Sequence, residues 1–82
     1  MEYYVYVLKS LKNGRYYIGS TNNLVRRLDQ HNKGKTKSNK HWGPFEIVYK
    51  EQCCGLTEAR KREYYIKRQK SRKFIESLIM GR

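Results

Sequence analysis

Five polar side chains, Tyr6, Tyr17, Arg27, His31 and Glu63, stand on otherwise apolar stretches of this chain. Together they hold what hydrolysis of a phosphate diester needs: a proton acceptor for water, positive charge for phosphorane-like oxygens and a carboxylate for a cation. The phenol of Tyr17 or Tyr6 can take the water's proton if a metal and nearby cations lower it from its reference of about 10. Arg27 carries a planar guanidinium that forks onto phosphate oxygens better than a lysine. His31, one helical turn further, can orient a tyrosine hydroxyl or touch the phosphate. Of the seven carboxylates only Glu63 falls on an expected interior face, so a two-metal site is ill supported. One Mg²⁺ (or Mn²⁺) on Glu63, with water and substrate phosphate as its other ligands, fits better.

Each of these residues also has an ordinary structural role. Tyr6 and Tyr17 can be core aromatics with one satisfied hydroxyl, and Arg27 can lay its stem on the helix with a solvated head. His31 can be a satisfied, partly buried imidazole, while Glu63 can pair with Arg60, Lys67 or Arg27.

The elements that must position them follow from pattern. Residues 3–8, Tyr-Tyr-Val-Tyr-Val-Leu, are aromatic and β-branched and apolar on both faces, which predicts a strand in the middle of its sheet. Asn13-Gly14 is expected to supply positive φ for a tight turn into a second strand, Arg15 to Gly19. Thr21, Asn22 or Asn23 can cap a helix to about Asn32, whose spacing sets Leu24, Arg27, Leu28 and His31 on one face. Residues 33–41 hold four lysines and no apolar side chain, a solvated loop. Trp42-Gly43-Pro44 turns into a third strand, Phe45 to Lys50, which alternates Phe45, Ile47 and Tyr49 with Glu46, Val48 and Lys50 and so reads as an edge. Gly55 and Thr57 precede a helix through about Gln69 with Leu56, Ala59, Glu63 and Ile66 on one face. Ser71 caps a last helix carrying Phe74, Leu78 and Ile79. The order ββαβαα predicts an α+β fold, a three-stranded antiparallel sheet with its first strand central, packed with about three helices.

Composition narrows the function. With 82 residues there is room for one domain, spanning 1–82, and one site. Nineteen Lys and Arg against seven acids leave a net charge of +12, which points to an anionic partner, nucleic acid above all. The basic cluster Arg60, Lys61, Arg62, Lys67, Arg68, Lys70, Arg72 and Lys73 mixes in few acids, and no recognition helix or zinc finger is visible. Contact through backbone phosphates is therefore expected. The chain lacks a phosphate-cradling Gly-rich loop ending in Lys-Ser/Thr, His pairs at metal spacing and a Gly-x-Ser-x-Gly turn. Met1 to Leu8 has neither a basic leader nor the length of a membrane span, and the adjacent Cys53 and Cys54 make no disulfide framework. A cytoplasmic protein with reduced thiols and no membrane contact is the expectation.

Tyr4-Val5-Tyr6 and Tyr17-Ile18-Gly19, with Tyr6 eleven residues before Tyr17, followed by Asn23-Leu24-Val25-Arg26-Arg27-Leu28, resemble the GIY-YIG nuclease superfamily. From Tyr3 to about Ile79 the chain is similar to its small stand-alone bacterial members. The resemblance implies a GIY-YIG endonuclease-like fold, with the family's two motif tyrosines at Tyr6 and Tyr17. Its catalytic arginine falls on Arg27, its helix His or Tyr on His31 and its metal-binding glutamate on Glu63. It further implies a divalent-metal-dependent endonuclease hydrolysing DNA phosphodiesters, in repair or recombination, with a protein partner or DNA shape supplying specificity. The asparagine that many catalytic members carry near the C-terminal end has no counterpart after Gln69. A catalytically weak or inactive nucleic-acid-binding module is therefore the alternative, and a protein-interaction or ribosome-associated factor the third reading.

Overall fold

In a computed structural model, which describes residues 2–34 and 43–81, the elements run β1 (Tyr3–Ser10), β2 (Tyr16–Thr21), α1 (Leu24–Asn32), β3 (Phe45–Cys53), α2 (Leu56–Arg68) and α3 (Arg72–Ile79). The sheet is antiparallel with strand order β2-β1-β3, so the first strand is central and the third an edge, as its patterning predicts. The reason lies in β1 itself. Val5 and Val7 pack with Ile18, Ala59 and Ile66 beneath α2 and α3, while Tyr6 and Leu8 pack with Phe45, Leu24 and Leu28 beneath α1. All four β1 side chains are at most 1% exposed. Removing each from water contributes on the order of 1.5–3 kcal/mol, available only to a strand covered on both faces.

The strands are longer than their apolar runs. β1 continues to Ser10 and β2 begins at Tyr16 and ends at Thr21. The link between them is not a two-residue Asn-Gly turn, because of that pair only Gly14 takes positive φ, at 74°. Ser10 organises the link instead. Its Oγ accepts from the N–H groups of Lys12 and Asn13, both at 3.2 Å, and its carbonyl accepts from Gly14 at 2.9 Å. Polar side chains have thus replaced left-handed backbone at Asn13.

β3 runs past Lys50 to Cys53 and carries a bulge. Val7 faces Tyr49 and Leu8 faces Ile47, which leaves Val48 as the extra residue. The expected single face of Phe45, Ile47 and Tyr49 is therefore split: Phe45 and Ile47 join the α1 side, Val48 and Tyr49 the α2 side. A bulge shifts the period-two alternation by one residue, so every side chain beyond it changes face.

Of the three candidate caps for α1, Asn23 is the one used, its side chain accepting from the Arg26 N–H at 3.0 Å. The far end of α1 is tied to β3 by Asn32, whose Oδ1 accepts from the Phe45 N–H at 2.6 Å and whose Nδ2 donates to the Phe45 carbonyl at 3.4 Å. In α2, Gly55 is the N-cap and Thr57 lies inside the helix. Leu56 is 39% exposed, so the buried stripe of α2 begins at Ala59. Ser71 caps α3 through Phe74, and Phe74, Ile75 and Leu78 cover the α2-side core. The expected lysine loop, beyond Lys33 and Gly34, and the Trp42 part of the following turn lie outside the described residues. No helix among the described residues is long and apolar enough to cross a membrane.

Candidate active site

Tyr6 enters the site from the central strand, opposite Gly19 of β2. A Cβ at position 19 would sit 2.5 Å from the Tyr6 hydroxyl, so only glycine lets this phenol lie across the neighbouring strand. There the hydroxyl meets α1. Arg27 Nε donates to it at 3.3 Å, and His31 Nε2 lies 3.2 Å away. Arg27 and His31 reach one oxygen because they are one turn apart on the helix face that packs on the sheet. His31 is 1% exposed, its ring 4.7 Å from that of Tyr17 and 5.8 Å from that of Phe45. The Tyr17 phenol is near enough to be among the influences that favour the charged form of Arg27.

Burial pushes the Tyr6 phenol above its ordinary 10.0, outweighing the hydrogen bond and charge of Arg27 that favour ionisation. Burial thus favours the protonated form of Tyr6. The same bond, opposed by burial, holds the Arg27 guanidinium further in its charged form. His31 is an enclosed ring whose Nε2 meets that same hydroxyl.

Glu63 approaches from the other side of the sheet. Its Oε1 accepts from Ser20 Oγ at 2.7 Å, and its Oε2 is 2.6 Å from Lys67 Nζ. Because successive residues of a strand point to opposite faces, two neighbours in β2 carry the two halves of the site: Gly19 underlies the Tyr6 hydroxyl on one face and Ser20 holds Glu63 on the other. The Glu63 charge is close enough to be among the influences that raise Tyr6. The structure therefore joins Tyr6, Tyr17, Arg27 and His31 directly and links Glu63 to them through β2. Gly19 and Ser20 are positions that residue type alone does not mark, although Gly19 belongs to the second tyrosine motif. Lys67 is one of the partners that helical spacing offers Glu63.

Among the described residues no group of three or more His, Cys, Asp and Glu could hold a metal ion. One carboxylate with a side chain 21% exposed fits a hard cation that keeps most of its waters, provided that Lys67 gives up Oε2. Cys53 and Cys54 are free, and burial pushes the Cys53 thiol up, away from thiolate chemistry. A hollow of about 680 Å³ between α1 and β3 contains none of the five residues and is lined mainly by Leu24, Val25, Leu28, Ile47 and Val48, so it lacks the groups hydrolysis requires.

A family model describing the GIY-YIG catalytic domain matches residues 2–75. The chain is 46% identical over 66 residues to UPF0213 protein CPE1444 of Clostridium perfringens, covering 79% of this chain and 70% of that relative. It is 40% identical over 79 residues to UPF0213 protein SH2523 of Staphylococcus haemolyticus, covering 92% and 95%. Among solved structures it resembles the solution NMR structure of UPF0213 protein BH0048 from Bacillus halodurans, with a TM-score of 0.61 and 35% identity, over 100% of this chain and 86% of that one.

Proposed function

The chain belongs to the GIY-YIG catalytic domain family, a nuclease family, and from that membership we propose that it is a divalent-metal-dependent endonuclease acting on DNA phosphodiesters. The observation that carries the reading is the convergence of Arg27 and His31 on one buried tyrosine hydroxyl, beside the strand that holds Glu63. The net charge of +12 supports a polyanionic substrate.

In this reading Tyr6 is a positioning residue. Its oxygen accepts from Arg27 and its proton is donated to His31 Nε2, which assigns His31 the Nδ1–H tautomer. Arg27, with Nε engaged by Tyr6 and one terminal nitrogen donating to Gln30 at 3.2 Å, keeps further N–H groups for the phosphate oxygens. Tyr17, beside that guanidinium, would accept the proton of the attacking water as a phenolate, the form that a bound metal and the neighbouring cation favour. Glu63 would hold one Mg²⁺ or Mn²⁺, which when bound supplies Lewis acidity to the substrate phosphate.

The test is cleavage of labelled branched and single-stranded DNA with Mg²⁺ or Mn²⁺. Tyr17→Phe and Glu63→Gln are each expected to slow cleavage about 100-fold or more, the scale of losing a general base or a group that stabilises transition-state charge. Wild-type rates in both variants reject the site. One observation favours the alternative of a binding module with little catalysis: the Lys67 ammonium already occupies Glu63 Oε2. That reading predicts salt-sensitive binding with no turnover and no response to metal.

A further inference from the structure

We propose that the hollow on α2 lined by Tyr64, Lys67, Arg68 and Lys70 is a subsite for an unpaired nucleotide of single-stranded DNA, immediately beside Glu63; it rests on the nuclease reading above. The hollow measures about 480 Å³, within the range that takes a small ligand. Its charged liners are all cations. Tyr64 is 64% exposed, which leaves a large aromatic surface in water, and the Arg68 guanidinium lies 5.6 Å from its ring centroid. Lys70, also in the wall, takes φ of 47°, a left-handed conformation that a residue with a side chain rarely adopts.

A ligand matched to one flat aromatic face and three cations is itself flat and anionic, which describes a nucleotide. Duplex DNA buries its base faces in the stack, so Tyr64 can stack only on a base that has left it. Lys67 fixes where that base belongs. Lys67 lines the hollow and its ammonium holds Glu63 Oε2 at 2.6 Å, so a phosphate bound here competes for Lys67 next to the carboxylate. The subsite therefore selects substrates with a single-stranded segment flanking the cleaved bond.

The experiment is fluorescence anisotropy in EDTA, with a labelled single strand of about 12 nucleotides, within known site sizes, and a duplex of the same sequence. Tyr64→Ala is expected to weaken single-strand binding about tenfold, the lower part of what one stacked base contributes, and duplex binding by less than about twofold. Tyr64→Phe, which keeps the ring, stays within about twofold of wild type for both. An equal loss for single strand and duplex, or no loss for either, overturns the subsite. Salt-sensitive wild-type binding that Tyr64→Ala leaves unaltered overturns this inference alone, whereas wild type that binds neither DNA sinks the nuclease reading with it.

Discussion

Tyr6 shows what burial does to a side chain that in water would ionise at about 10. In the fold it is raised above that value, first by desolvation and against the pull of Arg27, so the native state holds its proton where the unfolded chain releases it. Stability from this group is fully present below the unfolded value and is lost as pH climbs through the folded one. Thermal melting between pH 8 and about 11 is expected to show wild type falling more steeply above pH 10 than Tyr6→Phe, which has nothing to ionise. Tyr49, also raised by burial and by its bond to Glu51, adds a slope of the same sign that survives in that variant. Parallel curves for wild type and Tyr6→Phe refute the assignment of a protonated positioning phenol. His31 illustrates a complementary point: a helical stripe shared with two leucines marks a ring for the interior, but only coordinates reveal that Tyr6 is its partner.

Between elements, the closest tolerance is at Gly19, where β2 passes under the Tyr6 ring. Gly19→Ala drives a methyl into the phenol at 2.5 Å from its oxygen, and the ring must leave Arg27 and His31 to make room. We expect a loss of about 1–3 kcal/mol in urea unfolding, smaller when introduced into Tyr6→Phe, since part of the collision is with the hydroxyl. Additive losses mean that the ring does not sit where described. Much at this scale was legible beforehand. The doubly apolar run 3–8 marked the central strand, Asn23 and Ser71 were candidate caps that proved to be caps, and the spacing of Arg27 and His31 placed both on one face. The bulge at Val48 was not, because a register slip is settled by both strands together and leaves no mark in either. Nor were the ends of β2 and β3, where polar residues continue ladders that apolar runs begin. The Ser20–Glu63 bond joins residues 43 apart, and no local pattern pairs them.

For the molecule as a whole, charge is the dominant property. Even with all seven acids neutralised by neighbours, a surplus of twelve positive charges remains. Binding to single-stranded DNA is expected to weaken about 100-fold between 50 and 200 mM salt if about five phosphates are contacted, following a slope of roughly −0.7 per phosphate. A flat salt response in the anisotropy titration contradicts phosphate-led binding. The remaining consequence comes from Asn32. By holding both the N–H and the C=O of Phe45 it locks the end of α1 to the start of β3. Replacing Asn32 would untie the far end of the helix that brings Arg27 and His31 to Tyr6 from the sheet beneath it.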